Sequence, residues 1–201
     1  AAYAGEGGTW VGTSARARVV LYNSDLVPAA DLPTSVLELT DPAWKGKVGI
    51  APSNASFQSF VTAMRVSAGE EATTAWLEGM VANDVEIYEG NGAIRDAVDA
   101  GQISLGLANH YYWYEKAAEV GADTLKVQNH FLAPGDAGSL VNVAGAAILA
   151  PGADHPSAQA FVDYLLSPRG QATVAATPGM RALVQAGGAA GFPPDAASSA
   201  Q

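Results

Sequence analysis

One pattern repeats three times through the middle of this chain: a short apolar run, a polar turn carrying an asparagine, then a stretch with helical periodicity. Residues 48–51 (Val-Gly-Ile-Ala) lead through Pro52-Ser53-Asn54-Ala55-Ser56 into a segment with apolar positions Phe57, Phe60, Val61 and Met64. Residues 85–88 lead through Glu89-Gly90-Asn91-Gly92 into a segment with Ile94, Ala97 and Val98, closed by Gly101. Residues 103–108 lead through Asn109-His110 into a segment from Tyr111 to Val120, closed by Gly121. Strand, polar turn, helix is the grammar of an α/β sheet. In such sheets ligands gather where strands end and helices begin, because the free N–H groups and the dipole of a helix start favour an anion. Asn54, Asn91 and Asn109 each stand at one of these junctions, which predicts a single binding cleft.

The flanking segments extend the same class. Residues 19–22 (Val-Val-Leu-Tyr) read as a buried strand, and 31–38 as a short helix with Pro33 near its first turn. Residues 70–82 predict a second helix after the first junction, with Trp76, Leu77 and Met80 inward. Residues 125–131 and 140–149 read as strands, 155–166 as an amphipathic helix with Phe161, Val162 and Leu165 inward, and 168–176 as its continuation. From about residue 187 the Gly, Ala, Ser and Pro content predicts an irregular, flexible tail.

Composition removes several classes of function. Twenty acidic residues stand against 10 basic ones, and a net charge of −10 opposes a nucleic-acid or anionic-membrane partner. Without cysteine there is no disulfide, thiolate metal site or thiol nucleophile. No apolar run is long enough to span a bilayer. A Gly-x-Ser-x-Gly elbow is missing, and His110, His130 and His155 are not spaced as a base with a nucleophile or as metal ligands, so the chain is expected not to be an enzyme.

The stretch Asn109-His110-Tyr111-Tyr112-Trp113-Tyr114 carries the most chemistry. Neighbouring residues in a first helical turn point about 100° apart, so Tyr111 and Tyr112 converge only on something in front of the helix. A phenolate is a hard anionic oxygen donor suited to a hard trivalent cation, and a bound cation offsets the high pKa of free tyrosine. The same rings equally suit an aromatic cluster packing at i and i+3 or i+4, and the residues alone do not choose between the two.

Four segments in order bear on that choice: Trp10-Val11-Gly12-Thr13-Ser14-Ala15-Arg16-Ala17-Arg18-Val19, Leu37-Glu38-Leu39-Thr40-Asp41-Pro42-Ala43-Trp44-Lys45-Gly46-Lys47-Val48-Gly49, Asn109-His110-Tyr111-Tyr112, and Gly135-Asp136-Ala137-Gly138-Ser139-Leu140-Val141-Asn142-Val143. Together they resemble the periplasmic ferric-iron-binding proteins, class II solute-binding proteins of ABC importers with a transferrin-like iron site. The resemblance runs from about Trp10 to Ala176. It implies Fe(III) on Tyr111 and Tyr112, and a synergistic anion, phosphate or carbonate, on Asn54, Ala55 and Ser56 with Asn91 and Asn109. Arg16 is a further candidate anion contact, weighed with Arg18 against a salt bridge in the strand. Phe57 stands where some relatives carry a third tyrosine and cannot ligate. His110 is expected to be structural, and Gly135-Asp136-Ala137-Gly138 to act as a hinge. The remaining ligands of the family lie upstream of this chain, which is expected to be N-terminally incomplete.

The expected fold is therefore α/β, periplasmic-binding-protein-like class II, with a three-layer αβα lobe and hinge strands. Expected domains are 1–45, hinge strand and remnant of the N-terminal lobe; 46–130, the C-terminal ligand-binding lobe; 131–186, crossover and return helices; and 187–201, a flexible tail. The expected role is an extracytoplasmic or periplasmic monomer, free or lipid-anchored, that delivers iron to ABC permease subunits. The alternatives are the same receptor fold binding an organic or anionic solute, and a folded lobe fragment that binds no metal.

Overall fold

The computed structural model describes residues 3–176. Its order of elements is β1 (Val11–Asn23), β2 (Val48–Ile50), α1 (Ala55–Ala68), α2 (Glu70–Ala82), β3 (Glu86–Ile87), α3 (Asn91–Asp99), β4 (Leu105–Asn109), α4 (Tyr111–Val120), β5 (Val127–His130), β6 (Val141–Ala146), α5 (Pro156–Leu166) and α6 (Pro168–Ala176). The described chain divides into two compact units, Ala17–Leu140 and the combination of the residues up to Arg16 with those from Val141 onward. The expected 46–130 lobe lies wholly within the first. The expected tail at 187–201, and the segment 177–186 before it, lie outside the described residues.

The strands run in the order β3-β2-β4-β1-β5, with β6 also pairing β1. β2 is parallel to β3 and β4, as the strand–turn–helix repeats require, whereas β1 runs antiparallel to β4 and β5. Side chains alternate across a strand, and the two faces of this sheet bury different partners. Val20, Leu105 and Leu107 pack with Phe57, Phe60, Met64, Trp76 and Met80 of α1 and α2. Val19, Leu21 and Ala108 pack on the other face with Ile94, Ala97 and Val98 of α3. Helices on both faces of a largely parallel core make the three layers. At Gly106 the α3 layer comes so close that a Cβ would stand 2.2 Å from Ile94 Cγ2, so only glycine fits.

Three sequence-based expectations change in detail. The segment 31–38 is not one helix: 3-10 turns at Ala29–Asp31 and Val36–Thr40 flank an extended Leu32, which Pro33 holds out of the helical region. Strand β1 is far longer than residues 19–22, because β4, β5 and β6 all ladder onto it. Phe161 points out of α5 and is 61% exposed, and no residue of that helix is fully buried. Trp44 and Trp76 are packing residues as expected, with Trp76 Nε1 donating to the buried Val36 carbonyl at 2.9 Å. No described helix is long and apolar enough to cross a membrane.

Candidate metal and anion site

Tyr111 and Tyr112 open α4 immediately after the fully buried β4. The turn between them is tied down from several directions. His110 N–H donates to Ala17 O at 3.0 Å, and Ala17 N–H donates to His110 Nδ1 at 3.2 Å. Asn129 of β5 donates to the His110 carbonyl at 3.1 Å, Arg95 of α3 donates to the Tyr112 carbonyl at 3.2 Å, and Trp113 Nε1 donates to Val127 O at 2.7 Å. A helix start held by β1, β5 and α3 gives the two phenols a fixed origin.

The two rings stack, with centroids 4.5 Å apart and planes inclined by 25°. Burial pushes Tyr111 up to about 12, the neighbouring Tyr112 phenol adds to the rise, and the Asn109 side chain partly opposes it. Tyr111 is therefore protonated at neutral pH unless a cation sits against its oxygen. His110 is fully buried, and burial pushes it down to about 4, so it is neutral at pH 7 and its Nδ1 accepts from the backbone. This is the structural role expected of it.

The second cluster lies at the start of α1. In the β1–β4 ladder Arg18 stands directly opposite Asn109. It shares the parity of Val20, so its side chain enters the α1 layer. There Nη1 donates to Ser56 Oγ at 3.1 Å and Nη2 to Leu107 O at 3.1 Å, while the guanidinium carbon lies 5.5 Å from the ring centres of both Phe57 and Phe60. Arg18 is only 2% exposed. Burial lowers its pKa to about 10, which leaves it charged at neutral pH. None of the ion pairs among the described residues includes it, and its Nε has no hydrogen-bond partner. The salt bridge weighed for it from sequence is thus replaced by neutral acceptors and two phenyl rings. A buried charge without a counter-ion is costly, and an oxyanion relieves that cost.

Around Arg18 the expected anion residues partly assemble. Asn54 caps α1, its Oδ1 accepting from Ser56 N–H at 2.9 Å and from Ser56 Oγ–H at 2.6 Å. Asn91, at the start of α3, donates from Nδ2 to the same Ser56 Oγ at 3.1 Å. Ala55 supplies the first N–H of α1. Asn109 ends β4 two residues before Tyr111, and through the ladder it faces Arg18. Arg16 is half-buried in the part of β1 that belongs to the smaller unit, and no described hydrogen bond of its side chain joins it to these residues. Arg16 and Arg18 share the same strand parity, so it is the β4 register, which the sequence does not show, that singles out Arg18. The supporting roles of Arg95, Asn129 and Trp113 had no sequence signal, since each depends on an element distant in the chain.

His130 Nε2 lies 2.7 Å from Pro33 O, His155 is an exposed helix-capping position and Glu89 is exposed, so none of the three joins the cluster. No three His, Asp or Glu side chains gather as a metal cage among the described residues. Asp136, in the expected hinge segment, accepts from Ser35 Oγ, Val36 N–H and Gly138 N–H. A cavity of about 420 Å³ lies elsewhere, in the smaller unit, lined in part by Trp10, Val11, Ile148, Val162 and Leu166.

Residues 3–199 match the family of bacterial extracellular solute-binding proteins. The chain belongs to this solute-binding protein family. This solute-binding protein is 37% identical over 164 residues to the Fe(3+)-binding periplasmic protein of Serratia marcescens, covering 82% of its own length and 48% of the relative's. To the major ferric iron-binding protein of Neisseria meningitidis serogroup B it is 35% identical over 167 residues, covering 83% and 50%. The solute-binding protein thus spans about half the length of these relatives. Among solved structures, iron-bound HitA from Pseudomonas aeruginosa superposes with a TM-score of 0.80 at 37% identity, over 88% of this chain and 56% of that one. A Trichodesmium protein in complex with iron and citrate superposes with a TM-score of 0.76 at 30% identity, over 86% and 56%. The fold is that of class II periplasmic-binding-protein-like receptors, as expected from the sequence.

Proposed function

We propose that this chain carries the Fe(III)-binding tyrosine pair and much of the anion site of an extracytoplasmic receptor that hands iron to an ABC permease. The observation that supports this most is the juxtaposition along one ladder: the stacked Tyr111–Tyr112 pair follows Asn109, and Asn109 lies opposite the uncompensated Arg18. Two phenolates suit a hard trivalent cation. A buried cationic side chain beside the N-termini of α1 and α3 suits an oxyanion such as phosphate or carbonate. The names of the relatives, which carry ferric iron, agree with that chemistry. Tyr111 and Tyr112 are assigned to the metal, and Ala55, Asn91 and Asn109 to the anion, with Asn54 and Ser56 shaping that junction and Arg18 supplying the charge that sequence reasoning offered first to Arg16. The protein acts by capture and release and catalyses no reaction.

The cation takes the place of the phenolic protons, so binding is linked to pH. With two protons released, affinity falls by up to about a hundredfold per pH unit as the solution is acidified. Ferric citrate added in phosphate buffer should produce a visible tyrosinate-to-iron charge-transfer band. The band should be lost in the double variant Tyr111→Phe, Tyr112→Phe and should weaken steeply from pH 8 to pH 6. A colourless full-length protein would refute the iron assignment and make an organic or anionic solute the ligand of the same fold. Colour only in the full-length protein would mean that this chain alone is a folded lobe without metal binding.

A further inference from the structure

We propose that Ser56 is a positioning residue, whose hydroxyl aims the Arg18 guanidinium and the Asn91 amide at the start of α1 and does not itself bind the anion. The inference rests on the anion-site reading above, and it follows from counting what one hydroxyl can do. A serine hydroxyl has one proton to donate and two lone pairs to accept with. Three partners lie within hydrogen-bond distance of Ser56 Oγ: Asn54 at 2.6 Å, Arg18 Nη1 at 3.1 Å and Asn91 at 3.1 Å.

The direction of each bond is fixed by the next. Asn54 also receives the Ser56 backbone N–H at 2.9 Å, so the Asn54 atom in this junction is the carbonyl oxygen, and the Ser56 hydroxyl donates to it. A guanidinium is donor only, so Arg18 Nη1 occupies one lone pair. With its single proton committed, Oγ accepts from Asn91, which sets the Asn91 amide with Nδ2 toward Ser56 and Oδ1 away. The hydroxyl then has nothing left for a ligand, and the Ser56 N–H is likewise spent on the cap.

What Ser56 does instead is join three elements at one atom. Arg18 comes from β1, Asn91 from the start of α3, and Asn54 from the start of α1. Phe57 and Phe60 flank the guanidinium, and Leu107 O takes Nη2, so the position of the buried charge is set by groups that cannot themselves neutralise it. Phe57, whose ring has no donor atom for a metal, belongs to the clamp on Arg18.

A double-mutant cycle on Ser56→Ala and Arg18→Met separates positioning from contact, with inorganic phosphate as the probe. Phosphate affinity of the metal-free protein is read from the phosphate dependence of its melting temperature and by calorimetry. If Ser56 acts through Arg18, Ser56→Ala weakens phosphate by about tenfold or more in the wild-type background, and has almost no further effect once Arg18 is Met. Ser56→Thr, which keeps the hydroxyl, restores affinity to within about twofold in the Arg18 background. An equal, additive loss in both backgrounds means that the hydroxyl touches the anion and overturns the proposal, as does a Ser56→Ala variant with unchanged phosphate affinity. If Ser56→Ala does not melt cooperatively, the cycle is run with Ser56→Cys, whose thiol is a poor acceptor. The charge-transfer band in ferric citrate is recorded separately: its absence in the full-length wild type defeats the iron reading while leaving the cycle readable. A wild type that shows no response to phosphate defeats both the anion site and this proposal.

Discussion

The two compact units of this chain treat apolar residues in opposite ways. In Ala17–Leu140, both faces of the sheet are covered, and Val19, Val20, Leu21, Phe60, Met64, Ile94 and Leu107 are essentially removed from water. In the smaller unit, α5 has no fully buried residue, Phe161 is 61% exposed, Leu149 is 76% exposed, and Trp10, Tyr164 and Leu166 also reach the surface. Yet the sequences look alike: α5 is as regularly amphipathic as α1. An apolar stripe states that a face wants cover, but burial is conferred by whatever packs there. The candidate site lies in the well-buried unit, where strand ends are fixed tightly enough to hold two phenols and a bare charge in place.

This comparison can be broken by substitution. Phe60→Ala should cost about 3–5 kcal/mol in denaturant melts, the usual price of a large hole in a packed core. Phe161→Ala should change stability by about 0.5 kcal/mol or less, as for exposed positions. A loss for Phe161→Ala above about 2 kcal/mol would show that its face is covered in solution.

The contrast extends to buried polar groups. His110 has a pKa pushed down from 6.5 to about 4 by burial, so the unfolded chain takes up a proton that the native state refuses. Its contribution is intact above pH 6.5 and is lost as pH falls toward 4, at most about 3 kcal/mol over that window. Chemical denaturation from pH 7 to pH 4 should show this fall, and His110→Gln should flatten it. An unchanged slope would mean that other groups govern acid stability.

Backbone proximity gives the smallest effect. Gly106→Ala places a methyl group against Ile94 and should destabilise by about 1–3 kcal/mol. Gly152→Ala in the smaller unit meets Ile148 only at ordinary contact distance, 3.8 Å, and should be near neutral in the same thermal melts. Equal effects at the two glycines would erase the difference in packing between the units.

Much of the larger unit was legible in the chain. The three strand–turn–helix repeats gave β2, β3 and β4 with the helices that follow, because period-2 and period-3.6 patterns are local. They also placed Asn54, Asn91 and Asn109 at junctions, and the tyrosine pair at a helix start. Segment 31–38 misled because Pro33 forbids the helical conformation to Leu32 rather than opening a helix. Phe161 misled because periodicity cannot say what lies opposite a face.

By itself, the sequence determined an acidic α/β chain with no cysteine, an asparagine at each strand–helix junction and two adjacent phenols at a helix start. Only the tertiary structure decided which arginine meets those junctions. That choice depends on the antiparallel register of β1 against β4, which sets Arg18 opposite Asn109. It also decided that Ser56 is saturated by Asn54, Arg18 and Asn91. Local pattern fixes which residue types stand at a turn. Hydrogen-bond directions and buried charges are fixed by residues brought from 38 and 35 positions away, and no local pattern contains them.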